Sequence, residues 1–264
     1  MNLHEARKLK DRGKSFLSDN TFVYIPPMAG VTDIAYRTIC REMDENVVLA
    51  TEMLSSKSLT YAHLNKKDHH HSRRLTIPEG DLLTGVQIFG HEPDVMAEAT
   101  KIATELGAVF IDINMGCPVA KIVSGMDGAA LMKDPELACK IVESVKAATH
   151  LPVTVKTRLG WCEETLNAPF LAKEFQKLGI DAITIHGRTR AQKYKGSAKW
   201  SLIKEVVDAV DIPVFANGDI KTLDDAKTVF DETGAYGVAI ARGTMGKPWF
   251  SKQVTHYVET GEIL

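Results

Sequence analysis

The chain has 264 residues, of which 44% are hydrophobic and 25% are charged, and its formal net charge is −2. These values are ordinary for a globular protein of one large or two average domains, and they support a nucleic-acid partner only through a local basic surface. No run approaches the ~18 apolar residues of a membrane span, and the polar first residues lack the core of a secretory signal, so a cytoplasmic protein without membrane contact is expected.

Eight short β-rich segments alternate with eight longer amphipathic segments. The predicted strands are, in chain order, 22–26, 47–51, 83–88, 109–113, 152–156, 181–186, 212–216 and 236–241. The predicted helices lie near 32–43, 53–64, 93–106, 134–149, 164–178, 199–209, 222–232 and 247–259. Several strands are nearly continuous apolar runs, as expected where both faces of a parallel sheet are covered. The alternation predicts an α/β protein with one (β/α)8 TIM barrel over residues 1–264; an open doubly wound sheet is the alternative.

No pattern in the sequence is typical of a metal site or a disulfide framework. The cysteines include no Cys-x-x-Cys pair, which favours a reduced protein. The triplet His69-His70-His71 lies in a polar stretch rich in lysine and arginine, and a solvated loop is expected there rather than a metal site. The four cysteines are Cys40, Cys117, Cys139 and Cys162.

In barrels of this kind, functional residues lie on the loops that follow the carboxyl ends of the strands. The first predicted strand is followed by Pro-Met-Ala-Gly-Val-Thr-Asp at 27–33, where Thr32 or Asp33 can cap the next helix. The third predicted strand ends near Gln87. An amide at a strand end either holds the edge of a heterocycle, by donating and accepting at once, or ties down neighbouring backbone.

The loop after the fourth predicted strand is the most informative stretch. Residues 112–118 read Asp-Ile-Asn-Met-Gly-Cys-Pro, so Cys117 lies between glycine and proline, where helix burial does not explain it. A cysteine with an ordinary pKa of about 8.5 is mostly thiol at neutral pH. It can then act as a general acid, whereas a nucleophilic role needs a nearby base, and a purely structural cysteine is the alternative.

Basic residues collect after the fifth and sixth predicted strands. Lys156 follows an apolar strand, where a buried ammonium is costly unless it meets an anion; snorkelling is the alternative. Residues 188–199 contain five basic side chains, among them Arg188 and Arg190, and no acidic one, with Tyr194 between them. This stretch predicts either a contact with a phosphate backbone or a solvated loop.

The loops after the last two predicted strands contain glycine. Asn-Gly-Asp stands at 217–219, and Ala-Arg-Gly at 241–243. Glycine lets backbone N–H groups approach a phosphate, and a short helix after the eighth strand would present its positive end there. Two such loops on neighbouring strands predict a phosphorylated ligand.

Five motifs in one order resemble those of the tRNA-dihydrouridine synthases, most closely the bacterial B-type branch. They are Pro-Met-Ala-Gly-Val-Thr-Asp at 27–33, Asp-Ile-Asn-Met-Gly-Cys-Pro at 112–118, Val-Lys-Thr-Arg-Leu-Gly-Trp at 155–161, Ile-His-Gly-Arg-Thr-Arg at 185–190 and Ala-Asn-Gly-Asp-Ile at 216–220. The similarity runs from about Pro26 to Leu264. It implies an enzyme that uses FMN and NADPH to reduce the C5–C6 double bond of specific uridines in tRNA.

The resemblance also implies a role for each matching residue. Cys117 would be the proton donor, and Asn114 and His186 would lie near the uracil and the flavin. The cofactor-binding residues implied are Pro27, Met28, Ala29, Gln87, Lys156, His186, Asn217, Gly218, Asp219, Ala241 and Arg242. The substrate-binding residues expected are Asn114, Arg158, Arg188 and Arg190.

Two departures from the family's pattern bear on these expectations. Members usually have Gly-Arg after the eighth strand, where this chain has Ala241-Arg242, so a slightly altered phosphate contact is expected. Members also continue into a C-terminal helical domain that helps to grip tRNA. That domain is expected to be absent or truncated here, which bears on the affinity for tRNA. No protein partner is inferred.

Two other functions are compatible with the sequence. An FMN-dependent reductase or dehydrogenase of a free pyrimidine would share the barrel and the phosphate loops without needing the basic stretch at 188–199. A non-catalytic flavoprotein or RNA-binding remnant would keep the fold without turnover.

Overall fold

The structure is a computed structural model that describes Leu17 and residues 22–65 and 75–264. The histidine triplet at 69–71, for which a solvated loop is predicted, lies outside the described residues.

The described residues form a closed ring of parallel strands. The outer neighbours β1 and β9 pair through Val23 and Val238, and β2 pairs with both β1 and β4, which closes the ring. The predicted (β/α)8 barrel is therefore confirmed and the open sheet is excluded. The strands are β1 Val23–Ile25, β2 Val48–Ala50, β3 Leu54–Ser55, β4 Thr84–Phe89, β5 Ile111–Asn114, β6 Val153–Arg158, β7 Ala182–His186, β8 Val214–Asn217 and β9 Gly237–Ala239.

Helices follow the barrel strands and pack around the ring. They are α1 Ile34–Met43, α2 Ser56–Asn65, α3 Pro93–Glu105, α4 Ala120–Val123, α5 Pro135–Ala148, α6 Ala168–Lys177, α7 Trp200–Ala209, α8 Leu223–Thr233 and α9 Phe250–Thr260. Short 3₁₀ turns lie at Gly128–Lys133, Glu163–Thr165 and Arg242–Thr244. All eight predicted helices are present with shifted ends, and a short 3₁₀ turn follows the last strand, where a short helix was expected. The helix α4 and the 3₁₀ turn Gly128–Lys133 were not predicted.

The helix ends have ordinary chemical causes. Of the two predicted capping residues, Thr32 and Asp33, it is Asp33 that caps α1, by accepting a hydrogen bond from the Tyr36 N–H at 2.9 Å. Thr222 and Asp225 form a capping box at the start of α8, which ends at a left-handed glycine, Gly234. The predicted helix near 53–64 begins later, at Ser56, because the two residues before it pair with β4.

Alternation along the strands separates two populations of side chains. One parity packs apolar residues between the ring and the helices; they include Val86, Ile88, Ile111, Ile113, Val153, Val155, Ile183 and Ile185. The opposite parity points into the ring, where the carboxyl halves of the strands carry polar residues. These inward residues include Gln87, Asp112, Asn114, Thr154, Lys156, Arg158, His186 and Asn217. Because side chains alternate with a period of two residues, these polar residues all point into the barrel near the carboxyl ends of its strands.

Candidate active site

A cavity of about 470 Å³ opens at the carboxyl ends of the barrel strands. All eleven predicted cofactor-binding residues line it, together with Cys117, Asn114 and Arg158. The structure thus brings together residues from seven of the eight barrel strands or the loops after them. This is the position at which barrel enzymes carry their active sites.

A row of buried polar side chains lies under this cavity. Gln87 donates from Nε2 to Asp112 Oδ2 at 2.5 Å, and its Oε1 accepts from Asn114 Nδ2 at 2.7 Å. Asp112 also accepts from the Tyr24 hydroxyl at 3.1 Å and from Thr154 Oγ1 at 2.6 Å. Burial raises the pKa of Asp112, against the effect of these donors. Both polar atoms of Gln87 are therefore committed to other side chains.

The loop that carries Cys117 is held on all sides. Asn114 Oδ1 accepts from the N–H groups of Gly116 and Cys117, at 3.1 and 3.0 Å. Arg158 Nε donates to the Gly116 carbonyl at 2.6 Å, and the Cys117 carbonyl accepts from the Ala129 N–H at 3.1 Å. Burial raises the pKa of the Cys117 thiol. The thiol is therefore protonated at neutral pH and fixed at the cavity wall.

Lys156 enters the cavity from β6. Its Nζ donates to Asn217 Oδ1 at 3.0 Å, and Asn217 Nδ2 in turn donates to the Ala239 carbonyl at 2.6 Å. Burial, and then the nearby Arg158 guanidinium, lower the pKa of Lys156 to about 8. An ammonium in this position is present at neutral pH and stabilises negative charge in the cavity.

His186 stands among cations at the end of β7. Burial first, and then Lys156, Arg158 and Arg188, lower the pKa of His186 far below its ordinary value, so the imidazole is neutral. Arg188 Nη1 lies 3.4 Å from His186 Nε2, and because a guanidinium can only donate, Nε2 is the acceptor. His186 can therefore donate a hydrogen bond only from Nδ1.

Two glycines leave bare backbone at the cavity wall after β8 and β9. Gly218 has φ 121, and a Cβ there would lie 2.9 Å from His186. A Cβ on Gly243 would lie 2.2 Å from the Ile220 carbonyl oxygen. Within the described part of the chain, neither backbone N–H makes a hydrogen bond. Donors of this kind suit an oxyanion such as a phosphate.

The side chains beside these glycines are charged and partly exposed. Asp219, with φ 59, accepts from Arg188 Nη2 at 2.6 Å, and this ion pair lowers its pKa against the effect of burial. Arg242 is 59% exposed and lies 3.9 Å from Asp219. Ala241 has φ −93, so its backbone is not in the left-handed region that favours glycine.

The first motif forms the remaining wall. Pro27, Met28 and Ala29 line the cavity, and the Met28 N–H donates to Thr32 Oγ1 at 3.0 Å. The Gly30 N–H donates to Glu52 Oε2 at 2.9 Å, which fixes the turn. This wall presents apolar atoms to whatever occupies the cavity.

Two predicted substrate residues lie outside the cavity lining. Arg188 is only 2% exposed, and its guanidinium donates to the carbonyls of Lys195 and Gly196 as well as to Asp219. Arg190 is half-buried, with its Cζ 4.5 Å from the centre of the Trp161 ring. A contact of either residue with a substrate stays a prediction.

Several lining residues had no predicted role. Tyr194 is 56% exposed at the cavity mouth, and its ring lies between Arg158 and Arg242, at 5.5 and 5.7 Å. In the sequence it stands out only as an aromatic among basic residues. Asp112, which is fully buried and does not line the cavity, also had no predicted function, although its position two residues before Asn114 puts it on the same strand face. Other lining residues without a predicted role are Met53, Val119, Lys221 and Met245.

Two classes of site find no support in the described residues. None of the helices there is long and apolar enough to cross a membrane. Nor do histidine, cysteine and carboxylate side chains gather anywhere in that part of the chain in a group of three or more that could hold a metal ion.

Comparisons with known proteins agree with the geometry. A family model described as dihydrouridine synthase matches residues 24–264. A probable tRNA-dihydrouridine synthase from Rickettsia bellii is 43% identical over 251 residues, covering 95% of this chain and 74% of that protein. tRNA-dihydrouridine synthase B from Pseudomonas syringae is 41% identical over 241 residues, covering 91% of this chain and 69% of that protein.

Among solved structures, histamine dehydrogenase from Rhizobium sp. 4-9 superposes with a TM-score of 0.64 at 14% identity. The match covers 98% of this chain and 49% of that protein, and at this identity it shows a shared fold alone. The expected absence or truncation of a C-terminal helical domain stays a prediction. The family model and the relatives confirm the resemblance seen in the five motifs: the chain belongs to the dihydrouridine synthase family.

Proposed function

We propose that this protein reduces the C5–C6 double bond of uridines in tRNA, with FMN bound at the barrel mouth and NADPH as the reductant. The observation that carries the proposal is the meeting, in one cavity, of bare glycine backbone, the Lys156 ammonium and the protonated Cys117 thiol. The glycine backbone could bind a phosphate, the Lys156 ammonium an electron-rich ring, and the Cys117 thiol could give a proton to a substrate.

The residues present fit FMN. Its phosphate would accept from the backbone N–H groups of Gly218 and Gly243 and from Arg242, whose guanidinium is exposed to the cavity. Its ring would lie along Pro27, Met28 and Ala29 and would meet Lys156. The flanking Asn217 and Asp219 would complete the contact with the chain between ring and phosphate. These assignments rest on position in the cavity and on chemical complementarity.

The chemistry that FMN would supply here, after reduction by NADPH, is a hydride for C6 of the uracil. The protein must then provide the proton that completes the addition at C5. Cys117 is suited to this step because its pKa is raised and its sulfur carries the proton at neutral pH. The S–H bond breaks as the C5–H bond forms, and the thiolate left behind is reprotonated from solvent.

The cations around the cavity would serve the same step. The negative charge that develops on the uracil would be stabilised by Lys156 and by the buried Arg158. Neutral His186 would contribute a hydrogen-bond donor at Nδ1 without adding a further charge. Asn114, whose own oxygen is already committed to the loop N–H groups, would act chiefly by holding that loop.

RNA is the substrate class that the outer surface supports. Lys193, Tyr194 and Lys195 are exposed beside the cavity mouth on a stretch that has five basic residues and no acidic one. A base in a duplex would have to leave its stack to reach the cavity, so uridines in loops or single strands are the natural targets.

The test compares the wild-type protein with Cys117→Ala and with Cys162→Ala as a matched control. Flavin reduction by NADPH should survive in all three proteins. Dihydrouridine formation on unmodified tRNA, measured by mass spectrometry, should fall by at least about 100-fold in Cys117→Ala alone, the loss typical of a missing general acid. Cys162 lies outside the cavity lining and should be replaceable.

Other outcomes would overturn the proposal in distinct ways. A protein that cannot be loaded with FMN would remove the cofactor assignment. Product on free uracil but not on tRNA would favour the pyrimidine reductase, and flavin reduction without any product would favour the non-catalytic remnant. Equal product from wild-type and Cys117→Ala protein would exclude Cys117 as the acid.

A further inference from the structure

Three buried side chains connect the centre of the barrel to the Cys117 loop. Asp112 Oδ2 accepts from Gln87 Nε2, Gln87 Oε1 accepts from Asn114 Nδ2, and Asn114 Oδ1 accepts from two backbone N–H groups of the loop. Asp112, Gln87 and Asn114 are 0%, 1% and 8% exposed, so water competes little for these bonds. We call this row of three side chains the amide relay.

The direction of the amide relay is determined at both ends. The N–H groups of Gly116 and Cys117 can only donate, so Asn114 must present its oxygen to them and its NH₂ to Gln87. Gln87 must then present its oxygen to Asn114 and its NH₂ to Asp112. A reversal of either amide would set donor against donor in a buried site, which is costly.

Asp112 supplies the acceptor at the other end in either ionisation state. Tyr24 and Gln87 both donate to Oδ2, while Thr154 donates to Oδ1. A proton on Asp112 would be carried on Oδ1, where the Thr154 hydroxyl can reverse its role, and Oδ2 would stay an acceptor. The carboxyl group therefore keeps the relay in one direction over a wide pH range.

We propose that Asp112 is a positioning residue for Cys117 and acts through Gln87 and Asn114. The functional importance of positioning Cys117 rests on the proposed function, in which Cys117 is the proton donor. The physical claim itself concerns only the loop: the acceptor at position 112 keeps the Gln87 oxygen turned toward Asn114, and without it Asn114 loses the buried partner that anchors it on the side away from the loop.

The substitution Asp112→Leu removes the acceptor while keeping a similar branched shape. The NH₂ of Gln87 and the Tyr24 hydroxyl then lack a partner in a buried site. Gln87 can satisfy Tyr24 only by reversing, which sets its NH₂ against the NH₂ of Asn114. We expect the Cys117 loop to loosen and its half-buried sulfur to become more accessible.

The measurement is the rate at which iodoacetamide labels each cysteine, followed by peptide mass spectrometry, at saturating FMN and again after FMN removal. Labelling of Cys117 should rise by about fivefold or more in Asp112→Leu in both conditions. Cys40, which is fully buried in the core, reports on global unfolding and should not change. Tyr24→Phe, which removes one donor to Asp112 without reversing the relay, should leave the Cys117 rate within about twofold.

A conservative variant separates the acceptor at position 112 from its charge. In Asp112→Asn, the side-chain oxygen can accept from Gln87 and Tyr24, and the NH₂ can donate to the Thr154 hydroxyl, which reverses its role. The Cys117 labelling rate should stay within about twofold of wild type.

The proposal is overturned if Asp112→Leu leaves Cys117 labelling unchanged, if Asp112→Asn labels as fast as Asp112→Leu, or if Cys40 accelerates in parallel. Should Asp112→Leu fail to fold, Gln87→Met interrupts the relay in the middle and must accelerate Cys117 in the same way. Labelling needs neither NADPH nor tRNA. A failure of the relay is thus distinguishable from a failure of the proposed reaction, which the Cys117→Ala product assay reports.

Discussion

The two ends of the barrel interior are built from alternate residues of the same strands but are filled in different ways. At the amino end, Tyr24, Phe110, Phe215 and Tyr236 belong to a second buried apolar cluster. Phe215 meets Tyr236 edge to face at 5.5 Å and Tyr24 at 6.2 Å. At the carboxyl end, the inward positions carry amides and cations around a cavity.

Glycines show how differently the two ends use space. A Cβ at Gly85 or Gly237 would lie 2.5 Å from the ring of Phe110 or Phe215, so these glycines make room for aromatic packing. The glycines at the mouth, Gly218 and Gly243, instead expose backbone to the cavity. One end therefore excludes ligands and stabilises the fold, and the other gives up packing in order to bind.

The largest effect that tests this comparison is Phe215→Ala. Removing a buried aromatic ring with two edge-to-face neighbours should lower the free energy of unfolding by about 3–5 kcal/mol. Urea denaturation measures this loss. The affinity of the folded protein for FMN and the labelling rate of Cys117 should stay within about twofold, since the aromatic cluster does not line the cavity.

If Phe215→Ala changed the affinity for FMN strongly without lowering the stability, the aromatic cluster and the cavity would not be independent. The amino and carboxyl ends of the barrel would then be structurally coupled. Tyr24 is the residue through which such coupling would run, because its ring packs on Phe215 and its hydroxyl donates to Asp112.

Local sequence pattern was enough to predict the fold. Apolar strands and amphipathic helices recur along the chain, and each element carries its own periodicity. The short strand β3 was missed because its pairing of Leu54 with Ile88 depends on residues distant in sequence. The loops at the carboxyl ends of the strands identified the cavity residues, because the fold itself brings those ends together.

Side-chain partners were the part that local pattern could not supply. Arg188 belongs to a basic stretch and was expected at the surface, yet it is buried against Asp219, 31 residues later. Asp112 received no role because its three donors come from three other strands. The type of a charged or amide side chain determines which kinds of group it can bind, but the fold determines which residue becomes its partner.

The next effect concerns the cation at the mouth. With the pKa of Lys156 at about 8, the ammonium is mostly present at pH 7 and mostly lost at pH 9. If the ammonium binds the flavin ring, binding takes up a proton as pH rises above 8, and the dissociation constant for FMN should rise by up to about tenfold between pH 7 and pH 9. Fluorescence titration with FMN at each pH measures this dissociation constant.

Lys156→Met is the variant that isolates this contribution. At pH 7 its affinity for FMN should be about tenfold weaker than that of the wild type, and its own pH dependence should be flat over the same interval. Titration of FMN itself affects both proteins equally and cancels in the comparison. Parallel pH profiles for the two proteins would show that Lys156 is not the group responsible.

The smallest expected effect is on tRNA binding by the exposed lysines next to the cavity mouth. Lys193 and Lys195 are exposed, and within the described residues neither ammonium lies within ion-pair distance of a carboxylate. Lys199, in the same stretch, already pairs with Glu163 at 3.1 Å. Free cations release counterions from RNA when they bind, whereas a cation that is already paired contributes less.

Replacing Lys193 and Lys195 together by glutamine should therefore weaken tRNA binding a few-fold. It should also lower the slope of log affinity against log salt by about one for each phosphate that the protein no longer neutralises. Lys199→Gln is the matched control and should change the slope less. FMN affinity should be the same in all variants, because none of these ammonium groups lines the cavity. An unchanged salt slope in the double variant would place the RNA-binding surface elsewhere on the protein, and the basic stretch would then be an ordinary solvated loop.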